Sequence, residues 1–345
     1  MQTVKIGVIG AGENTRKKHL PGFQAIEGVE LVCVANRSRE SGEKVAREFK
    51  IPKVAKNWQE VVEDAEVDAV CIGTWPNLHA PITCAALAAG KHVLCEARMA
   101  MNAAEAQRML AAAQATDRVA MLVPSPFGLK GDAKMRELLG QDYVGEVREV
   151  YVRGLTAALA DERAPLHWRQ RGELSGVNVL ILGILNETVS RWVGRTESVM
   201  AETSHFIPRR LDTTTGWLTD ADVPDCVSVI ARLGSGSHCV YMVSGVAYHA
   251  GNLRVEIYGS RGTLHYDLTR DEIWGAQAGE KVLERLEIPL EMAGGWRVEA
   301  EFIEAIREGT PVRFTNFVDG VRYMKFTEAV RRSANQGRRV PLAEV

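Results

Sequence analysis

Short apolar runs alternate with helical segments along the first third of the chain. The runs with strand character are Val4–Ile9, Leu31–Ala35, Val67–Ile72, His92–Cys95 and Val119–Val123. Between them lie segments of helical composition at Glu40–Phe49, Ala80–Ala89 and Ala103–Ala115, and an amphipathic segment that ends at Ile26. Apolar strands separated by helices indicate a parallel sheet that is covered on both faces. The pattern predicts a doubly wound α/β domain over residues 1–123.

The pattern changes after Pro124-Ser125-Pro126, which we take as the domain boundary. Beyond it, alternating segments predict strands at Glu146–Leu155, Val227–Leu233, His238–Ser244, Leu253–Tyr258 and Thr263–Asp267, with a hairpin loop at Gly234–Ser237. Helical segments follow at Arg297–Glu308 and Phe317–Arg332. Such alternation is typical of an antiparallel sheet with one face on the core and the other on solvent or a partner. We predict an open, mostly antiparallel α+β domain over residues 124–345.

Composition narrows the class of protein. The chain has 345 residues, of which 46% are hydrophobic and 25% charged, as in a globular protein of two domains. Lys plus Arg (42) nearly balance Asp plus Glu (44), so the positive charge of a nucleic-acid binder is missing. The sequence shows neither an apolar run long enough for a membrane span nor a signal peptide. Six cysteines without C-x-x-C spacing favour a reducing, cytoplasmic setting and no metal site.

A glycine-rich loop follows the first predicted strand. Gly10-Ala11-Gly12 ends that strand and opens a helical segment. The first glycine permits a tight turn, and the second lets backbone N–H groups approach a pyrophosphate at the helix N-terminus. Thr15 occupies the third glycine position of the dinucleotide fingerprint, with Asn14 before it and Arg16 after it. We predict a Rossmann-type cofactor site that includes Gly10, Gly12, Asn14, Thr15 and Arg16.

The residues after the second strand bear on which nucleotide binds. An NAD site usually has Asp or Glu there to accept the ribose 2′-hydroxyl. This chain has Asn36-Arg37-Ser38, so no carboxylate repels a 2′-phosphate and a guanidinium is available to bind it. The sequence therefore predicts that Asn36, Arg37 and Ser38 bind NADP(H), with NAD(H) as the alternative.

The segment Gly90–Glu96, preceded by Thr74 and His79, resembles the glucose–fructose oxidoreductase / inositol dehydrogenase family, Gfo/Idh/MocA. The resemblance covers the whole chain. Members of that family are mostly NAD(P)-dependent dehydrogenases or reductases of sugars, cyclitols and related carbonyl compounds. The resemblance implies that Thr74, Trp75, His79 and Glu96 border the cofactor, with Trp75 either stacking near the nicotinamide or covering the first helix. It also implies a homodimer or homotetramer formed through the open sheet.

The chain departs from that family at the positions that carry its chemistry. Relatives have Glu-Lys-Pro, with the lysine between nicotinamide and substrate, where this chain has Glu96-Ala97-Arg98. Relatives also have Asp-x-Gly-x-His on a helix, with the histidine as general acid/base. Gly183 fixes the register here and puts Ile181 at the aspartate and Leu185 at the histidine. By spacing, Asn178, Ile181 and Leu185 would share one helix face.

The candidates for the substrate site are Arg98, His167, Arg169, Asn178 and Tyr248. The two arginines can bind a carboxylate or phosphate bidentately, and His167 or Tyr248 can exchange a proton. Asn178 can hydrogen-bond to a substrate. Each candidate also has a structural alternative. For Arg98 it is a solvated or ion-paired arginine, and for His167-Trp168-Arg169 it is surface packing under a loop. For Asn178 it is a satisfied core amide, and for Tyr248 it is a structural position in an edge loop.

Three functions are consistent with these residues. The first is an NADP(H)-dependent oxidoreductase that acts on a small polar alcohol or carbonyl compound, sugar-, cyclitol- or acid-like, by an atypical acid/base arrangement. The second is a nucleotide-binding sensor or partner protein without turnover. The third is a lyase or hydrolase that uses bound NAD(P) transiently. We favour the first because most members of the family are dehydrogenases, and we expect a small-molecule substrate rather than nucleic acid or a membrane as the partner.

Overall fold

The computed structural model describes residues 2–124 and 128–345, and the chain divides into two compact units. Residues 2–124 and 297–321 form the first unit, and residues 128–296 and 322–345 form the second. Pro124 ends a described segment, whereas Ser125 and Pro126 of the predicted boundary lie outside the described residues. None of the helices in the described ranges combines the length and apolar character that a membrane crossing needs.

The first unit is a parallel, doubly wound sheet, as the apolar runs predict. Its elements are β1 (Val4–Ile9), α1 (Leu20–Gln24), β2 (Val29–Ala35), α2 (Arg39–Phe49), β3 (Lys53–Val54), α3 (Trp58–Glu63), β4 (Ala69–Ile72), α4 (Pro76–Ala88), β5 (His92–Cys95), α5 (Ala103–Gln114) and β6 (Ala120–Leu122). In the described residues the strand order is β3-β2-β1-β4-β5-β6, with every pairing parallel. This is the Rossmann order, whose switch point lies between β1 and β4.

The second unit is a mixed, mostly antiparallel sheet. Its elements are α6 (Asp132–Gly140), β7 (Val147–Leu155), α7 (Gly172–Ser175), α8 (Leu182–Val193), β8 (Thr196–Ser204), β9 (Arg209–Leu211), β10 (Leu218–Asp220), β11 (Cys226–Leu233), β12 (His238–Ser244), β13 (Arg254–Gly259), β14 (Gly262–Asp267), β15 (Glu272–Gln277) and β16 (Glu284–Leu286). The chain ends with α9 (Val298–Glu308), α10 (Phe317–Gln336) and β17 (Val340–Pro341). The predicted fold class is confirmed.

Among the described strands, the large sheet has the order β16-β15-β14-β13-β7-β12-β11-β8-β17, and only β12 and β7 pair in parallel. Inward side chains of the sheet pack with α8 and α10 in one core, where the rings of Tyr241 and Phe326 lie 5.2 Å apart. Residues on β11 alternate between buried and exposed, as their sequence predicts. Residues Gly234–Ser237 form the predicted loop between the antiparallel strands β11 and β12.

A late segment of the chain returns to the first unit, which the division at residue 124 did not anticipate. Residues 297–321 contain α9, whose Phe302 packs edge-to-face on Phe23 with ring centroids 6.4 Å apart. The Leu122 N–H donates to the Thr315 carbonyl at 3.0 Å, next to β6. Apolar burial and backbone pairing therefore both join this segment to the first unit.

Candidate functional site

The glycine loop after β1 is shaped by close backbone contact with the loop after β4. Gly10 has a φ of +82°, and a Cβ built on it would lie 2.7 Å from the Thr74 backbone nitrogen. Gly73, in the loop after β4, is equally close to the glycine loop, since a Cβ on Gly73 would overlap the Gly10 carbonyl oxygen. A Cβ on Gly12 would meet nothing closer than the Gly73 oxygen at 3.7 Å. The loop therefore needs glycine at 10 and 73 to form, whereas the space beside Gly12 stays open.

A cavity of about 510 Å³ lies along this loop at the carboxyl edge of the sheet. Residues 9–12, 35–37, 41, 56–58, 73–75 and 78 line it. Asn36 Oδ1 accepts a hydrogen bond from the Ala11 N–H at 2.7 Å, which joins the loop after β2 to the glycine loop. Of the described residues that line the cavity, none carries a carboxylate.

The end of the cavity next to β2 is cationic and aromatic. The Arg37 guanidinium lies over the Trp75 ring, 5.5 Å from its centroid, and the exposed Lys56 lines the same cavity. Trp75 therefore lies at the Arg37 end of the cavity, and its position in the sequence did not predict this contact. Ser38 caps α2, with its hydroxyl oxygen accepting from the Ser41 N–H at 3.2 Å. Sequence reasoning missed Lys56 and Ser41, which no dinucleotide fingerprint marks.

Two residues of the predicted fingerprint have other partners. The Thr15 hydroxyl donates to the Gly10 carbonyl at 3.2 Å, and its side chain is buried within the loop. Thr15 therefore stabilises the turn in place of the third glycine. Arg16 Nη2 pairs with Glu48 Oε2 of α2 at 2.5 Å, and Arg16 does not line the cavity. Its guanidinium is accordingly engaged on the helix surface.

His79 joins the loops after β4 and β5. Its Nδ1 lies 2.9 Å from the Arg98 carbonyl oxygen, and its Nε2 lies 3.0 Å from the Thr74 carbonyl oxygen. The ring is buried, and burial lowers the pKa of His79 below its ordinary value. His79 is absent from the cavity lining, so it positions Thr74 from behind the loop.

Glu96, at the end of β5, belongs to a buried cluster of charged groups. Asn14 donates to Glu96 Oε1, and His19 Nε2 lies 3.0 Å from the same oxygen. The other ring nitrogen of His19, Nδ1, lies 2.5 Å from Glu299 Oε1 of α9. Glu96 Oε2 accepts from the Ala97 N–H at 3.2 Å. Sequence reasoning found Asn14 and Glu96 separately but missed His19 and Glu299, which are 280 residues apart.

Charge attraction outweighs burial in this cluster. Burial alone would lower the pKa of His19, but hydrogen bonds and charge from Glu299 and Glu96 raise it to about 9. Burial alone would raise the pKa of Glu96, but His19, with Asn14, lowers it below the ordinary value. At neutral pH the cluster therefore contains an imidazolium between carboxylates.

The segment after Glu96 differs from the arrangement of relatives. Ala97 is half-buried and has no group that can polarise a substrate. The next residue, Arg98, is only 4% exposed, so it is not a solvated surface arginine. Within the described residues we find no cluster of His, Cys, Asp and Glu that could hold a metal ion.

In the second unit, His167 and Arg169 lie together at a short helix. His167 Nδ1 accepts from the Arg169 N–H at 3.2 Å and caps the 3₁₀ turn Trp168–Gln170. The Arg169 guanidinium stacks on the Trp168 ring, 4.4 Å from its centroid. Burial, with the charge of Arg169, lowers the pKa of His167. The ring is therefore neutral near pH 7.

The predicted shared helix face of Asn178, Ile181 and Leu185 is wrong. Helix α8 begins only at Leu182, because Leu180 has a φ of +45° and breaks the helical run. Asn178 lies in the preceding loop, where it is buried and its Nδ2 donates to the Ser175 carbonyl at 2.7 Å. Leu185 packs in the core against β7, and a Cβ on Gly154 would lie 2.8 Å from its Cδ1.

Tyr248 follows β12 and is 66% exposed, with its ring 6.4 Å from that of His249. The structure thus groups His167 with Arg169, while Tyr248 lies on a separate exposed loop of the same unit.

The sheet order, the glycine loop and its cavity define a two-domain protein with a dinucleotide-binding unit. Residues 4–123 match the model of an oxidoreductase family with an NAD-binding Rossmann fold, and residues 133–265 match the GFO/IDH/MocA C-terminal domain. The chain belongs to the Gfo/Idh/MocA oxidoreductase family.

Alignments with relatives of named activity cover most of this chain. It is 24% identical to myo-inositol 2-dehydrogenase of Thermotoga maritima over 348 residues, which cover 99% of each chain. It is 26% identical to levoglucosan dehydrogenase of Pseudarthrobacter phenanthrenivorans, over 81% of this chain and 78% of that one. A solved structure of levoglucosan dehydrogenase with NADH and L-sorbose superposes with a TM-score of 0.87 at 23% identity, covering 99% of each chain. This likeness confirms the fold.

Proposed function

We propose that this chain is an NADP(H)-dependent oxidoreductase of a small polar alcohol or carbonyl compound of the sugar, cyclitol or sugar-acid class. Family membership supports redox chemistry, and relatives named for inositol and levoglucosan support the substrate class. We further propose that copies associate through the exposed face of the large sheet. Met200 and Ile230, both exposed, are direct cross-strand neighbours on that face.

The observation that carries the NADP(H) preference is the charge of the cavity next to β2. Arg37 and Lys56 are both in the lining, and no described lining residue opposes a 2′-phosphate. A guanidinium binds a phosphate through two parallel hydrogen bonds, and its stacking on Trp75 orients it for that contact. The levoglucosan dehydrogenase structure contains NADH, so NAD(H) is the alternative that binding measurements decide.

The residues present fit a dinucleotide. The close contact of Gly10 with the Thr74 loop and the open space beside Gly12 leave room for a pyrophosphate at the start of the helical segment. When bound, the nicotinamide supplies or accepts the hydride. The chain then has to bind the substrate, orient it and handle one proton.

Proton handling differs from that of relatives, because Ala97 and Leu185 replace the ionisable groups. Arg98 and Arg169 are each candidates for binding an anionic or polar group of the substrate, because both have fixed charge. Asn178 is already bonded to the Ser175 carbonyl, which favours its structural role. We prefer His167 to Tyr248 as the proton acceptor, because the pKa of His167 is lowered and its ring is neutral near pH 7, with Nδ1 as the unprotonated nitrogen. Protonation of Nδ1 would displace the Arg169 N–H.

Replacement of Arg37 tests the nucleotide assignment. In Arg37→Ala we expect the Kd of NADP+ to rise by about 10- to 100-fold, because a charge-assisted phosphate contact is lost. The Kd of NAD+ should change by less than about twofold, since NAD+ has no 2′-phosphate. Arg39→Ala is the matched control, because Arg39 is exposed and pairs with Glu43 at 2.9 Å on the same helix. Equal losses for both nucleotides, or no loss, would contradict the assignment.

A substrate panel tests the activity. Inositols, anhydrosugars and aldonic acids are incubated with the protein and each nucleotide, and products are analysed by mass spectrometry beside cofactor absorbance. Oxidised or reduced product with a matching absorbance change supports the oxidoreductase. Product without an absorbance change indicates a lyase or hydrolase that uses the cofactor transiently. Nucleotide binding without product across the panel would favour a sensor.

A further inference from the structure

The buried cluster of His19, Glu96 and Glu299 has no assigned task in the proposed reaction. Its side chains are 0%, 13% and 4% exposed, respectively. Burial of three ionisable groups is costly unless they are paired, and here one imidazolium lies between two carboxylates. His19 is protonated at neutral pH, because its pKa is raised to about 9, so the cluster sets one positive group against two acidic side chains.

The fold accommodates this cluster at the cost of a glycine within a helix. A Cβ on Gly22 of α1 would lie 2.7 Å from the carboxyl carbon of Glu299. Glycine is less favourable than alanine inside a helix. Its presence lets the α9 carboxylate reach His19, so the approach of Glu299 to α1 depends on that missing side chain.

The cluster lies at the carboxyl edge of the sheet, away from the Arg37 end. Glu96 directly follows β5, and Asn14 links it to the glycine loop. Dinucleotides lie across this edge of a Rossmann sheet, on either side of the switch point. Because the cationic end next to β2 suits the phosphorylated ribose, the β4–β5 end is left for the nicotinamide. In relatives a lysine adds positive charge directly after the glutamate, whereas in this chain Ala97 adds none and the cation of the segment is Arg98, one position later.

We propose that the His19–Glu96–Glu299 cluster biases the site toward the oxidised nicotinamide, which is cationic, over the reduced ring, which is neutral. The inference rests on the proposed binding of a nicotinamide nucleotide. Charges interact strongly where water is excluded, and a net negative group stabilises the cationic ring without affecting the neutral one. His19 and Glu299 then act as positioning residues that set the charge and orientation of Glu96.

Removal of one negative charge tests the proposal. The Kd values of NADP+ and NADPH are measured by calorimetry for the unaltered chain and for Glu299→Gln at pH 6, so that His19 beside Glu96 keeps its proton when Glu299 is replaced. We expect the ratio of the Kd of NADPH to that of NADP+ to fall by about tenfold, as for a charge roughly a nanometre from the ring at an effective dielectric constant of about 20. The ratio reports on the environment of the nicotinamide ring alone, because NADP+ and NADPH differ only in that ring. Arg98, two residues after Glu96 in the sequence, is present in both the unaltered chain and the variant, so its charge is common to the two ratios.

Glu308→Gln is the matched control, since Glu308 lies exposed at the end of the same helix, and its ratio should be unchanged. If thermal unfolding shows that Glu299→Gln is not folded, Gly22→Ala replaces it. That variant keeps the Glu299 side chain but displaces its carboxylate from the cluster, so the ratio should also fall. An unchanged ratio in a folded variant would overturn the inference alone. Failure of the unaltered chain to bind either nucleotide would overturn the proposed function.

Discussion

The glycine loop of the first unit and helix α8 of the second unit differ from the corresponding segments of related proteins to very different degrees. The loop requires glycine at position 10 because backbone packs on backbone there, against the Thr74 loop. In α8, Leu185 stands where the family resemblance places a histidine, and it is packed against β7. Cofactor binding thus depends on main-chain shape, whereas acid/base chemistry depends on single side chains that apolar residues can replace without loss of the fold.

The largest effect is expected in the loop. Gly10→Ala should weaken nucleotide binding by more than about a hundredfold and destabilise the chain by about 4 kcal/mol, because it adds both a positive-φ strain and a steric overlap. Calorimetry and thermal unfolding measure the two effects. Gly12→Ala should bind poorly but unfold like the unaltered chain, since its nearest neighbour is 3.7 Å away. Normal binding by Gly10→Ala would refute this account of the loop.

A somewhat smaller effect is expected in α8. Leu185→His, which inserts the residue of relatives, should lower the free energy of unfolding by about 3 kcal/mol, because it buries a polar ring in an apolar core. It should not create activity on inositols. Leu185→Met is the control, and we expect it to cost less than about 1.5 kcal/mol. Gain of inositol oxidation with unchanged stability would show that the side chain faces substrate instead.

The third effect concerns pH. His19 has a folded-state pKa of about 9, above its ordinary 6.5, so the stability it contributes is full below about pH 6.5 and is lost as pH rises through 9. His19→Gln should therefore destabilise the chain by about 2 kcal/mol more at pH 7 than at pH 9.5. Urea unfolding at both pH values measures the difference. His238→Gln, at an exposed histidine of β12, should show no such difference. A pH-independent deficit in His19→Gln would contradict the ion-pair account.

The strands of the first unit could be predicted because buried parallel strands are continuous apolar runs. Val4–Ile9 was predicted with its observed bounds, and the Gly10 turn followed from the glycine at its end. The Thr15 hydroxyl, which bonds within the loop, shows how a fingerprint position can be filled by other means. Local rules therefore sufficed for the backbone of the nucleotide site.

Long-range pairing and local breaks in helices could not be predicted. Glu299 reaches His19 only because α9 returns to the first unit, and no local pattern records that return. Helical spacing failed at Asn178 because Leu180 adopts a positive φ, which its residue type disfavours. The ion pair of Arg16 was missed because its partner, Glu48, lies on α2, far along the chain.

Calorimetric titration of the unaltered chain with NADP+ and NAD+ tests whether the chain retains a cationic nucleotide site although the acid/base side chains of relatives are replaced. We predict that NADP+ binds at least about tenfold more tightly than NAD+, through the added phosphate contact. Tighter binding of NAD+, or binding of neither nucleotide, would contradict it.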